Sequence, residues 1–174
     1  MHRNIIIRRE MPEDHPAVRR VNEQAFGRPQ EADLVERLRE GCPGVISLVA
    51  NAGAEMVGHI LFSPAVIERE GRSTNGLGLA PIAVLPDLQR QGIGKALIEA
   101  GIDKIRASGE PFVIALGHPG YYPRFGFVSA SRFGIRCEYD GVPDEVFMIL
   151  VLKDDVLAEI SGVARYRPEF ADVT

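Results

Sequence analysis

Between residues 77 and 116 the chain changes character three times. An apolar run, 77–85, is followed by a polar glycine-rich stretch, Gln89-Arg90-Gln91-Gly92-Ile93-Gly94-Lys95-Ala96. An amphipathic segment then extends to about Arg106, and a short apolar run closes the series at 111–116. In the amphipathic segment Leu97, Ile98, Gly101, Ile102 and Ile105 share one side at helical spacing, while Lys95, Glu99, Asp103 and Arg106 lie opposite. The pattern is strand, loop, helix, strand. Such a crossover brings its two strands parallel and is right-handed, so the sheet contains at least one parallel step.

The remainder reads as a mostly antiparallel sheet with helices around it. Ile5-Ile6-Ile7-Arg8 is a first strand. Met11-Pro12-Glu13-Asp14 carries helix-start signals, proline in the first turn and carboxylates at the positive end of the dipole. Val18, Val21 and Ala25 follow on one face, and Gly27-Arg28-Pro29 breaks the helix. A second helix is expected over 31–40, with Leu34, Val35 and Leu38 inward and Gly41 as its stop. Strands are expected at 45–51, 56–68 and 77–85, with Pro64 marking a kink or an edge position and Glu70-Gly71-Arg72 a hairpin turn. After the crossover, 121–125 suggests a short helical turn. Residues 133–138 and 145–152 read as a closing antiparallel pair around Asp140-Gly141.

At 174 residues the chain has the length of one domain, 1–174, with a core at about 3–152 and a C-terminal extension at 153–174. Its 45% apolar and 25% charged residues argue against disorder, collagen-like repetition and a disulfide scaffold. The longest apolar run, 146–152, is far too short to span a membrane. The N-terminus, Met1-His2-Arg3-Asn4, lacks the apolar core of a signal peptide, which points to the cytoplasm. A net charge of −4 argues against nucleic acid as a partner. Cys42 and Cys137 stand apart and read as free thiols. There is no HExxH and no Cys/His cluster, so no metal is expected. A serine-hydrolase G-x-S-x-G is absent as well.

The glycine-rich stretch sits where a helix N-terminus exposes unpaired N–H groups, which suits a phosphate or pyrophosphate. A Walker A loop is excluded: Gln89 holds the first glycine position, and Ala96 replaces the Ser or Thr that would hold magnesium. A dinucleotide fingerprint is excluded because Leu97 stands at the third glycine and the loop follows a meander. The pattern Q/R-x-x-G-x-G/A is satisfied in full by Gln89-Arg90-Gln91-Gly92-Ile93-Gly94. That stretch resembles the pyrophosphate loop of the GNAT superfamily of acyl-CoA-dependent N-acetyltransferases. The preceding strand, Pro81-Ile82-Ala83-Val84-Leu85-Pro86, is similar too, and Tyr122-Pro123-Arg124-Phe125-Gly126-Phe127 resembles the family's Tyr-x-x-x-Gly-Phe signature. The order of elements also matches, over residues 3–152.

The resemblance implies a GNAT-like α/β (α+β) fold and acetyl-CoA as co-substrate. It implies that the backbone of Ile82, Ala83 and Val84 pairs with pantetheine, and that an N–H there polarises the thioester carbonyl. Gln89, Arg90, Gln91, Gly92, Ile93, Gly94, Lys95 and Ala96 would cradle the pyrophosphate. Tyr122 stands where the family's general-acid tyrosine stands, with Tyr121 as the alternative. The proton acceptor stays open among Glu31, His118, His59 and an ordered water chain.

The acceptor would be an amine, on a small molecule, a peptide or a protein. In the family the loop between the last two strands borders its site. Here that loop holds Glu138, Asp140, Asp144 and Glu145 within eight residues. The cluster suits a cationic amine, with Asp140 and Asp144 as contacts beside Glu31; it equally suits a solvated acidic loop. The tail Arg165-Tyr166-Arg167-Pro168 is free to cover a partner subunit, as in a homodimer, or nothing. The alternative to an enzyme is a non-catalytic acyl-CoA-binding sensor or interaction module on the same fold.

Overall fold

The structure is a computed structural model that describes residues 4–156 and 160–173; the N-terminal reading at Met1-His2-Arg3 lies outside the described residues. Its elements run β1 (Ile5–Arg9), α1 (His15–Phe26), α2 (Gln30–Gly41), β2 (Ile46–Ala52), β3 (Glu55–Arg69) and β4 (Arg72–Val84). They continue with α3 (Ile93–Ser108), β5 (Phe112–Leu116), β6 (Val128–Ser129), β7 (Ile135–Cys137), β8 (Phe147–Val151) and β9 (Gly162–Arg165). The strand order is β1-β2-β3-β4-β5-β8-β6, with β9 paired to both β3 and β7. As the crossover demands, β4 and β5 are parallel, Leu77 opposite Val113 through Leu79 opposite Ala115. The β1–β2, β2–β3, β5–β8 and β6–β8 ladders are antiparallel. No helix among the described residues is long and apolar enough to cross a membrane.

The chain clusters into two compact units. The first comprises Met1–Phe62, Pro81–Asp103 and Pro168–Thr174. Its helices bury the faces the sequence assigns: Val18 and Val21 on α1, Leu34, Val35 and Leu38 on α2, Leu97, Ile98 and Ile102 on α3. Gly27, at φ +68°, ends α1 in the left-handed conformation that a glycine adopts without a Cβ penalty. Beneath the helices lies a buried polar trio. Asn22 Nδ2 donates to the Val18 carbonyl at 2.9 Å and lies 3.1 Å from His59 Nδ1. Ser47 Oγ is 2.8 Å from His59 Nε2. Both amide protons of Asn22 are thereby used, so Nδ1 accepts and Nε2 carries the ring proton toward Ser47. Burial, reinforced by the charge of Arg39, pushes His59 down to about 3. It is a neutral, fully enclosed core residue with both ring nitrogens engaged, and not a base open to substrate.

The second unit comprises Ser63–Ala80 and Lys104–Arg167. Its centre is β5, with Phe112 to Ala115 fully buried between β4 and β8. The β3–β4 hairpin turns through Glu70 and Gly71, both at positive φ, the conformation of a two-residue turn that matches strand twist. Pro64 falls between the last β3 pair with β2, at Phe62, and the first with β9, at Val66. It stands in the gap between these two ladders, neither of which uses its missing N–H.

One expected pairing is corrected. Residues 133–138 and 145–152 do not form a hairpin. The 3-10 turn Asp144–Val146 leads into β8, which pairs with β5 on one side and the two-residue β6 on the other. β7 runs parallel to β9 instead, Ile135 opposite Gly162 and Cys137 opposite Ala164. The extension thus supplies a strand beyond the expected core, and Tyr166 just after it is buried.

Candidate active site

In the first unit the polar loop folds as a backbone cradle. The β4–β5 ladder ends at Leu79 opposite Ala115, so Ile82, Ala83 and Val84 at the end of β4 lie beyond it. A 3-10 turn over Pro86–Leu88 follows, and then the loop. Gln89 Nε2 donates to the Val84 carbonyl at 3.1 Å, and Gln91 Nε2 donates to the Asp87 carbonyl at 3.1 Å. The two glutamines therefore brace the loop through its carbonyls and leave its amides to other acceptors. Arg90 sits at φ +61° and Gly92 at φ +88°. Such left-handed residues turn consecutive N–H groups to one side, forming an anion-binding concavity. A Cβ built on Gly92 would meet nothing within 4 Å, so the space beside it is open. Ala96 N bonds the Gly92 carbonyl at 3.0 Å and closes the first turn of α3. Ile93, Gly94 and Lys95 then carry the helix's first three N–H groups, which have no intrahelical acceptor. The Ile93 side chain is buried and anchors the turn. Arg90 and Lys95 are exposed, and Lys95 lies 3.9 Å from Glu99, a weak solvated pair. Donors and shape fit a pyrophosphate.

In the second unit the segment after β5 makes an aromatic knot. Tyr121 N donates to the His118 carbonyl at 3.1 Å, opening a turn that continues over Tyr122–Phe125. The Tyr122 ring stands edge-on to Tyr121, centroids 5.6 Å apart, and to Phe127 at 5.4 Å. It also lies against Gly117: a Cβ there would be 3.0 Å from Tyr122 Cδ2 and nearer still to Cε2. Only glycine lets the ring sit there. Tyr122 is 5% exposed, and burial, with a contribution from Tyr121, pushes its phenol up to about 12. Its proton is retained at neutral pH. Tyr121 is half-buried, packs edge-on to Phe125 and carries the Arg124 guanidinium 5.9 Å from its ring centroid. His118 is exposed, with Nδ1 accepting a long 3.4 Å bond from Gly120 N.

The acidic candidates divide. Glu138 accepts from Tyr166 N at 2.8 Å and lies 3.6 Å from Arg165, so its carboxylate is engaged within the fold. Asp140, Asp144 and Glu145 are exposed. In the first unit Glu31 is buried under Arg28, whose Nε lies 3.0 and 3.1 Å from its two oxygens and whose Nη2 also bonds it. Among the described residues no group of three His, Cys, Asp or Glu is placed to hold a metal. Two positions of the second unit escape a motif reading: Gly117, where only glycine leaves room for the Tyr122 ring, and the buried Tyr166. For Tyr166 a signal existed, since Ala164 and Tyr166 alternate with Arg165 and Arg167 as a half-buried strand would.

A mixed sheet with a parallel step at its centre, a glycine loop after β4 and a helix following it place the chain in the α/β class. The chain belongs to the GNAT acetyltransferases: residues 7–130 match the family model of the acetyltransferase (GNAT) domain. It is similar to the uncharacterized N-acetyltransferase YhbS of Escherichia coli K12, at 32% identity over 95% of this chain and 98% of that one. The crystal structure of E. coli YhbS in complex with CoA superposes with a TM-score of 0.89, covering 98% of this chain and 93% of the other. A GNAT family acetyltransferase from Brucella melitensis in complex with acetyl-CoA, 32% identical, gives 0.79 over 97% and 99%.

Proposed function

We propose that this single-domain chain transfers an acetyl group from acetyl-CoA to a primary amine by direct attack on the thioester. The observation that carries the reading is the loop at 89–96, whose amides and left-handed residues fit a pyrophosphate, in a chain similar to proteins solved with CoA and acetyl-CoA. Bound acetyl-CoA supplies the thioester. The backbone of Ile82, Ala83 and Val84 holds the pantetheine arm, and one N–H there polarises the carbonyl. The amine nitrogen bonds the carbonyl carbon, the carbon–sulfur bond breaks, and the amine loses a proton.

Tyr122 returns a proton to the leaving sulfur. A buried phenol held near 12 is always charged with its proton, and the thiolate it protonates is a fair leaving group already. Tyr121, half-exposed, is the alternative. Of the residues considered for taking the amine proton, His118 is exposed and Glu31 is held by Arg28, which favours His118 or water. Asp140 and Asp144 draw a cationic amine such as a polyamine, an amino sugar or a lysine side chain. The cytoplasm suits two free thiols, Cys42 and Cys137.

The test is a screen of thiol release from acetyl-CoA against a polyamine, an amino sugar and a lysine peptide, with Tyr122→Phe assayed on the fastest acceptor. We expect kcat to fall about 100-fold with the affinity for acetyl-CoA unchanged, because general-acid catalysis acts mainly in the transition state. Unchanged kcat removes Tyr122 from the chemistry. CoA binding without any acceptor turning over makes the chain a sensor or interaction module.

A further inference from the structure

An open cleft of about 540 Å³ lies within the first unit, between the first half of α1 and the neighbouring parts of β1, β2 and β3. Two members of a cross-strand row, Asn51 and Met56, line it, and the third, Ile6, stands beside Asn51 at its rim. Ile6 is opposite Asn51, and Asn51 is opposite Met56; residues directly opposite in antiparallel strands share a face. Regular alternation would break this row. Ala50 is opposite Gly58, which faces Ile93 and Leu97 of α3, and Met56 two residues earlier would face α3 as well. The register shift between Ala50 and Asn51 re-aims Met56 to the side of Asn51. An amide is thereby set between an exposed Ile6 and a buried Met56. Asn51 Oδ1 is buried and has no hydrogen-bond partner among the described residues. A buried acceptor without a donor opposes folding.

Two arginines of unequal freedom stand over the row. Arg8 is committed: Nη1 and Nη2 donate to Asp14 at 2.7 and 2.9 Å, and Nη1 also donates to the Arg9 carbonyl at 2.9 Å. Arg20 is anchored by one nitrogen, Nη2, which donates to the Met56 carbonyl at 3.0 Å. Its Nη1 is 4.0 Å from Glu55 Oε1, at the outer limit of an ion pair, and Glu55 is exposed. The charges of Arg8, Asp14, Arg20 and Glu55 cancel. A phosphate would be opposed by both carboxylates, and a polyamine by both guanidiniums. A ligand with one charge of each sign meets complementary groups.

We propose that this cleft binds a free α-amino acid with an apolar side chain. The α-carboxylate takes the open side of the Arg20 guanidinium, whose planar fork matches it. The α-ammonium donates to Glu55 and to Asn51 Oδ1, which turns about its broad terminal torsion to face the cleft. The zwitterion thus replaces one loose pair by charge-assisted hydrogen bonds on both sides and supplies the donor that Asn51 lacks. The apolar side chain lies along Ile6 and takes its exposed surface out of water. Arg8 and Asp14, engaged with each other, hold the wall. All contacts are non-covalent, and the inference does not rest on acetyl transfer.

The test is calorimetry and thermal melting of the full chain with leucine and phenylalanine, and with two analogues of leucine. Leucinamide lacks the carboxylate and isocaproate lacks the amine. We expect at least one of the amino acids to bind more tightly than about 1 mM, and the matching amide and deaminated acid to bind at least about tenfold more weakly. Arg20→Gln, checked for folding by its melt, is expected to weaken the amino acid at least about tenfold. Asn51→Leu removes the unpartnered oxygen, so it should raise the melting temperature of the free protein and yet weaken the amino acid to the same degree. An asparagine with a merely structural role would not separate those two readouts. Absence of binding by both leucine and phenylalanine overturns the inference. Equal binding of isocaproate or leucinamide does so too, since the ligand would not be read as a zwitterion. Binding that both variants leave unchanged overturns it as well, because the ligand would then sit elsewhere. Thiol release is not part of the readout, so failure here leaves the acetyl-transfer reading untouched.

Discussion

The glycine loop of the first unit and the aromatic knot of the second are two ways of building a candidate site. The loop works through backbone. Its glutamines bond carbonyls, its glycine opens space, and its charged side chains are solvated. What it offers an anion is a set of amides whose direction is set by φ and by the start of a helix. The knot works through side chains whose chemistry depends on enclosure. Tyr122 is an ordinary phenol in sequence and becomes a tightly held proton store only because Phe127, Gly117 and Tyr121 surround it. A backbone site tolerates exchange of most of its side chains. An enclosed side chain is sensitive to its neighbours, including ones remote in sequence.

The sharpest way to break that contrast is Gly117→Ala. The added methyl collides with the Tyr122 ring, so the ring must move. We expect kcat to fall about 100-fold, as in Tyr122→Phe, with acetyl-CoA affinity unchanged; stopped assays of thiol release with calorimetry of CoA binding check both. A kcat close to wild type would mean that the knot is not sensitive to its packing.

Gly94→Glu addresses the loop. It adds bulk and a negative charge among the first amides of α3. Affinity for CoA is expected to fall at least about tenfold, equivalent to about 1.4 kcal/mol, while Gln91→Ala, which alters only a bracing side chain, changes it by less than about threefold. Calorimetry on folded variants that finds the reverse order would show that side chains dominate the loop.

Burial also silences a side chain in the first unit, and His59 makes that measurable. Its folded value is about 3 against an unfolded 6.5. Between those values the unfolded chain binds a proton that the folded chain refuses. Stability is therefore present above pH 6.5 and is lost as pH falls toward 3, by up to about 1.4 kcal/mol per unit. Urea titrations at several pH values should show this slope, and His59→Gln should reduce it. An unchanged slope would assign the acid loss to carboxylates.

The smallest effect is expected at the acidic loop. Asp140→Asn with Asp144→Asn should raise KM for a cationic acceptor about threefold at low salt and less at high salt, since screening weakens exposed charges. No change at low ionic strength would make these residues plain solvated surface.

The amino-acid sequence alone determined what depends on local pattern. The stripe on α3, the inward faces of α1 and α2 and the parallel step from β4 to β5 all follow from periodicity and chain order. The glycine loop at the start of α3 was legible for the same reason, because its backbone geometry is made within eight consecutive residues. Tertiary structure alone decided what depends on contacts between distant segments. It paired β7 with β9 rather than β8, since a three-residue strand has too little pattern of its own to choose a partner. It set His59 against Asn22 and Ser47, and it engaged Glu31 with Arg28 and Glu138 with Arg165 and the Tyr166 backbone. It also brought Tyr166 onto Gly78, 88 positions earlier in the chain. Periodicity reports which face of an element is buried; it carries no information on which distant residue is buried against it, and the proton affinity of a phenol or an imidazole is fixed by that second fact.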